Sequence, residues 1–279
     1  MTHRDLIALA LAACLCTAHA MAATRGGAPV KASDATDPPR ELLASVDVHI
    51  GPDGRVIDAR VDSALERDAS VAVQKQVSTW LFVPVQADGH PVDARTRVLI
   101  TLRPQAASFP GIGWKIVDVS LGQPALARRA LLMPDYPWPA WKAHLGAQVV
   151  LVLKLNAKGR VATAHAEQIN LTSPGDDKLA AQWRDIFRVP SIRAAKSWKF
   201  MPAESIDDQP VETSVRMSVT FVYYGDRAHR YYPGPVIPAP WLAPATALSA
   251  SQRQAPGEGE VVPLESRFQL REDVVGRVI

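Results

Sequence analysis

The residues that could do chemistry are few and poorly placed for it. Seven histidines occur, and none forms a His-x-x-x-His pair. His3 and His19 stand near the amino terminus, while His49, His90, His144, His165 and His229 are scattered with no cysteine nearby. Metal ligation at such spacing needs a coincidence of folding, so these histidines read as strand and turn residues. Asp176 and Asp177 are adjacent carboxylates, but they open a helical pattern, where an acid favours the positive end of the helix dipole. Trp80 and Trp198 each end an apolar stripe ahead of a Phe and a Pro, and read as core anchors rather than ligand platforms. Tyr223-Tyr224 and Tyr231-Tyr232 suit either a binding patch or plain cover for a strand edge. There is no Gly-x-Ser-x-Gly, no phosphate loop and no Gly-x-Gly-x-x-Gly; Gly111-Ile112-Gly113 alone marks a loop. No nucleophile, base and orienting group can be assembled, so the pattern predicts a protein that is not an enzyme and needs no cofactor or metal.

Composition agrees with a globular protein. The chain has 279 residues, 47% of them hydrophobic and 21% charged, which suits a packed core. Its net charge of +3 comes without any run of five like charges, so the footprint of a nucleic-acid binder is missing. A pI near 8.9 permits weak attraction to anionic envelope polymers.

The amino terminus is an address. Residues 1–22 carry Arg4, an apolar run from Leu6 to Thr17, and Ala20-Met21-Ala22 before Ala23, the pattern of a secretory signal cleaved after Ala22 or Ala20. That run makes a helix of about 18 Å, short of the roughly 20 residues a bilayer crossing needs, so no transmembrane span is expected. Both cysteines, Cys14 and Cys16, lie inside it, which predicts an exported product without disulfides. Leu11-Ala12-Ala13-Cys14 offers the minor alternative of a lipoprotein anchored at Cys14.

The positioning elements come twice. Val48 to Val56 pairs with Leu153 to Val161 at an offset of 105, Trp80-Leu81-Phe82-Val83-Pro84 with Trp198-Lys199-Phe200-Met201-Pro202 at 118, and Pro91-Val92 with Pro210-Val211 at 119. In the first copy, Ala44, Val46, Val48 and Ile50 alternate with polar residues, and Pro-Asp-Gly then turns the chain into Ile57, Ala59 and Val61. This predicts a hairpin with Gly54 at positive φ. The second copy repeats it with Val149, Leu151, Leu153 and Leu155 and a turn at Gly159, and Val150 and Val152 on its other face predict cover on both sides.

A helix follows in each copy. Ser63-Ala64-Leu65-Glu66 reads as a capping box before the stripe Ala69, Ala72, Val73, Gln76, Val77 and Trp80. Ser173-Pro174-Gly175-Asp176 reads as a Ser cap with Pro at the first helical position, before Leu179, Trp183, Ile186 and Phe187. Pro190 predicts a break into helices over 175–188 and 191–198. Long alternating strands close both copies, Val92 to Leu102 and Val211 to Val222, so each copy reads β-β-α-β with the helix on one sheet face.

The second copy resembles the TonB C-terminal domain family. The resemblance rests on Tyr136-Pro137-Trp138-Pro139-Ala140, the Gly-turned hairpin from Val149 to Gln168, Trp198, Phe200 and Pro202, and the closing strand Val211 to Tyr223. The first copy is a shorter, divergent relative, with only Pro38-Pro39 near the place of the Tyr-Pro opening. The fold expected is thus α+β: two tandem TonB C-terminal-like β-β-α-β modules, each a small antiparallel sheet with a helix on one face. The boundaries expected are 39–103 and 136–224, with a connector at 104–135 and a Pro/Gly-rich, largely disordered tail at 225–279.

The resemblance implies a periplasmic, non-catalytic binding protein, linked to outer-membrane transport, that captures an extended peptide on an exposed sheet edge. Carried over here, the edge is Val211 to Tyr223, with Glu212, Ser214, Arg216, Ser218 and Thr220 facing solvent beside the incoming strand. The implied partner is a peptide of an outer-membrane transporter or another envelope protein. The alternative is an envelope structural protein holding cell-wall polymer, peptidoglycan, on its basic surface. Energy-transducing members keep an uncleaved membrane anchor and a long Pro-rich spacer, and this sequence departs from both, which predicts a binder rather than a component that pulls.

Overall fold

The computed structural model describes residues 41–61, 65–106, 112–127, 132–173, 175–223, 230–242 and 255–279. The leader with Cys14, Pro38-Pro39, Ser63 and Tyr224 lie outside them. No helix among the described residues is long and apolar enough to cross a membrane.

Alternation in the first half produces β1 (Leu42–Ile50) and β2 (Val56–Val61), an antiparallel hairpin, followed by α1 (Arg67–Val77). A small ribbon, β3 (Gln86–Ala87) with β4 (His90–Pro91), leads to β5 (Ala94–Ala106), which lies antiparallel along the other side of β1. Ala69, Val73, Val77 and Trp80 form the buried stripe of the helical region, as their spacing requires. Glu66, rather than Ser63, stands at the N-cap, and no side chain bonds there.

The stretch expected as a connector with a short strand at Ile116 to Val119 holds a longer one. β6 (Ile112–Leu121) pairs with β5 from Val98 to Ala106, and β7 (Ala125–Leu126) follows. Pro110, Gly111 and Gly113 make this stretch look like a loop in sequence, but a neighbouring strand with free backbone groups recruits it.

The second half opens with the short α2 (Trp138–Lys142) after Tyr136-Pro137. The hairpin of β8 (Ala147–Leu155) and β9 (Val161–Leu171) leads to α3 (Asp177–Ala195). That helix is one continuous element with Pro190 inside it, not two. Its cap is Asp176, whose carboxylate accepts from Leu179 N at 2.8 Å, and Ser191 Oγ, on the residue after the proline, donates to Phe187 O at 2.8 Å. The buried residues of α3 are Ala180, Phe187, Ser191 and Ala195, while Leu179, expected in the stripe, is 40% exposed. Next come β10 (Phe200–Met201), which pairs with β7, then the ribbon of β11 (Ser205–Ile206) and β12 (Gln209–Pro210), and then β13 (Thr213–Phe221) along β8. The last strand is β14 (Val261–Pro263).

The fold is therefore α+β, with strand order β2-β1-β5 in one sheet and β9-β8-β13 in the other. Each has its own core: Val46, Ile50, Trp80, Phe82 and Ile100 in the first, Leu151, Leu153, Phe187, Trp198 and Phe200 in the second. The two halves repeat the same local bonds. Phe82 N donates to Gly54 O at 2.8 Å, and Phe200 N to Gly159 O at 2.8 Å. Gly54 has φ +81° and Gly159 φ +71°, and a Cβ on either would collide with the carbonyl oxygen of its Phe partner. The halves are joined through β11, which adds to β5 at Arg95 and Ala94.

The tail is another correction. Residues 230–242 and 255–279 are placed as extended chain along both halves. Tyr232 pairs with Leu171 at the outer edge of β9, Phe268 and Val274 enter the first core, and Ile279 exchanges two hydrogen bonds with Trp114 on β6. A Pro- and Gly-rich segment builds no core of its own, yet it can order by supplying strands to edges that already exist.

Candidate functional site: the closing strand of the second sheet

β13 alternates strictly. Val215, Met217, Val219 and Phe221 face the helix-side core, and Ser214, Arg216 and Ser218 face the other way. The sequence pattern places that second face in solvent. Instead Ser214, Arg216 and Ser218 are each no more than 3% exposed; Thr220 is half-buried, and only Glu212, 3.5 Å from Lys154 Nζ, is exposed. The reason is the tail. Ala239 and Leu264 pack with the fully buried Val152 on this face, supported by Trp241 and Leu242.

The tail also takes the edge. Val261, Val262 and Pro263 lie opposite Met217, Arg216 and Val215, and Leu264 N donates to Ser214 O at 2.9 Å. β13 is thus flanked on both sides here, by β8 and by β14, which corrects the expectation of an open edge. From Val219 to Phe221 no strand among the described residues pairs on that outer side.

Under the tail lies an ion pair that sequence reading missed. Arg216 Nε stands 2.7 Å from Glu167 Oε2, with side-chain exposures of 3% and 5%. Glu167 falls at the irregularity in β9 opposite Val150 and Leu151, so period-two reading could not assign its face. The one signal in sequence was the pair Val150 and Val152, which already required a cover.

A second buried acid holds the tail further on. Glu204 accepts from Ser266 Oγ at 2.5 Å and from Arg267 N at 3.4 Å. Burial pushes its carboxyl pKa above the ordinary 4.5, against the lowering effect of these two bonds and of the Arg267 charge.

The remaining candidates have structural duties. Trp80 and Trp198 are buried core residues at 2% and 1% exposure, and Asp176 caps α3. His165 Nε2 is 2.8 Å from Ile237 O, His144 stacks on Tyr223 at 4.3 Å, and His49 lies 3.6 Å from Asp93. Among the described residues, no group of three His, Cys, Asp or Glu converges. The open face of the first sheet carries a groove of about 580 Å³ whose cations meet acids: Arg97 with Asp47 at 2.7 Å, Arg60 with Asp58 at 2.8 Å, Arg95 with Asp208 at 3.5 Å.

Comparison with protein-family models, with curated proteins and with solved structures finds no match for this chain.

Proposed function

We propose that this chain is a periplasmic, non-catalytic binding protein built of two tandem TonB C-terminal-like modules. In this reading it captures an extended segment of an outer-membrane transporter or another envelope protein by strand addition to β13. The observation that carries it is the seat of β14: a short extended segment from outside the sheet adds to β13 in antiparallel register over Val215 to Met217. An edge that takes one such segment has the backbone groups, and the flanking apolar positions, to take another. The order of elements shared by the two halves, and the paired Gly54–Phe82 and Gly159–Phe200 bonds, support the tandem reading.

The test is capture in cells. Thr220→Cys places a thiol beside the edge, and oxidation is expected to trap a disulfide adduct with a cysteine-scanned transporter segment. Absence of any adduct across the scanned segment would end this reading.

A further inference from the structure

We propose that residues Val261–Leu264 are a resident stand-in for a foreign strand: they hold the β13 edge in cis, and an extended partner segment that obeys their register displaces them. The inference rests on the strand-capture reading and adds to it a regulator and a rule of specificity.

The buried polar groups of the second sheet lie on one face. The helix-side face of the second sheet is apolar throughout, with Val149, Leu151, Leu153, Val215 and Met217 in one core. The tail-covered face buries Glu167, Asn170, Ser214, Arg216 and Ser218. Ser218 Oγ and Trp241 Nε1 have no hydrogen-bond partner among the described residues. A buried ion pair recovers little of its desolvation cost, and a buried polar atom without a partner recovers none. Lifting Val261–Leu264 returns water to Ser214 and Arg216, the polar residues it pairs with, which offsets some of the cost of exposing the apolar side chains of Val152 and Leu264. Such a cover is held loosely for its size.

The ladders added to the two sheets also differ in length. On the corresponding side of β5, β6 is paired from Val98 to Ala106. On β13 the tail is paired from Ser214 to Ser218, the last through a lone bridge to Glu258, and beyond it, at Val219 to Phe221, no described residue pairs on that side, which gives an incoming strand a place to start.

Leu264 N points at β13, so Val262, two residues earlier, points its amide there too, while Val261 turns its amide away and Pro263 has none to offer. Val261 O accordingly accepts from Gln123 Nε2 at 2.7 Å on the far side. Proline therefore fits where Pro263 stands, and would lose a bond at the Val262 or Leu264 position. The partner is a segment with apolar side chains at all four places, free amides opposite Arg216 and Ser214, and proline allowed between them.

The probe is a labelled synthetic peptide of residues 259–265, Gly-Glu-Val-Val-Pro-Leu-Glu, titrated into the full exported chain. Val262→Pro in the chain's own tail removes one edge bond and spares both cores. It is expected to bind the peptide at least tenfold more tightly than wild type, and N-methylation of the peptide amide matching Val262 is expected to abolish binding. N-methylation at the Val261 position is expected to leave it intact. A lock tests the converse by holding the tail strand in place. Met217 and Val261 form a non-hydrogen-bonded pair, where strands approach closely enough for a disulfide. The oxidised Met217→Cys/Val261→Cys chain is expected to refuse the peptide, and reduction to restore what wild type binds. Equal peptide affinity in Val262→Pro and wild type, or full binding by the oxidised lock, would overturn the proposal. A peptide gain with no adduct at Thr220→Cys in cells would uphold cis occupation of the edge and sink the transporter reading instead.

Discussion

Arg216 and Glu167 meet at 2.7 Å under the tail, with both side chains almost wholly withdrawn from water. Removing one partner leaves an uncompensated buried charge. Arg216→Met is therefore expected to destabilise the fold by about 3 to 5 kcal/mol, while Arg216→Met with Glu167→Met is expected to be near neutral or stabilising. Urea denaturation of the two variants decides this. Equal losses in the single and double variants would show that the pair is hydrated in solution.

The repeated glycines differ from a third in one respect only. Gly54, Gly159 and Gly89 all have φ near +70° to +81°, but a Cβ on Gly89 meets nothing within 4 Å. Gly89→Ala is expected to cost about 1 kcal/mol, the penalty of a left-handed alanine. Gly54→Ala and Gly159→Ala are each expected to cost at least about 1 kcal/mol more, because the Phe82 or Phe200 hydrogen bond is also lost. Shifts in the urea midpoint measure the difference.

The duplicated tryptophans are not equivalent. Trp198 Nε1 donates to Leu132 O at 2.7 Å, whereas the buried Trp80 Nε1 has no hydrogen-bond partner. Trp198→Phe is expected to lose about 1 kcal/mol more than Trp80→Phe, since only the first substitution gives up a hydrogen bond. Thermal denaturation of both variants checks it, and equal losses would contradict the indole bond.

Glu204 gives the fold a pH dependence of defined sign. Its folded pKa is raised by burial above the ordinary 4.5, so between the two values the folded chain holds more of a proton than the unfolded one. This contribution to stability is full below about pH 4.5 and is lost as pH rises through the folded value. Glu204→Gln is expected to remove that slope and leave a chain no less stable than wild type at neutral pH. Urea midpoints from about pH 4 to 8 test it, and an unchanged slope would place the titrating group elsewhere.

Much of the fold was legible because it is written in local periods. Val46, Val48 and Ile50 alternate with polar residues, Gly54 and Gly159 mark turns, and the self-match at offsets of 105, 118 and 119 locates the strand–helix–strand order twice. Leu179 misled because a broad apolar stripe does not say which of its flanks will be covered. Pro190 misled because a long helix already anchored by Phe187 and Ala195 tolerates one missing backbone bond. β6 and the tail were legible only in part, as a short strand at Ile116 to Val119 and an amphiphilic end from Ser266 to Ile279, because an added strand takes its hydrogen bonds from a neighbour and its own residues need show no full period.

The order of residues alone dictates the two helix-backed hairpins, the buried tryptophans and the alternation that puts Ser214, Arg216 and Ser218 on one face of β13. What that face meets is settled by tertiary packing. Alternation specifies which side chains share a side of a strand, whereas cover depends on a segment some 45 residues later, Val261 to Leu264, arriving at that edge. Which of two competing strands fills an edge is a matter of free energy between whole arrangements, and no local pattern of residues encodes it.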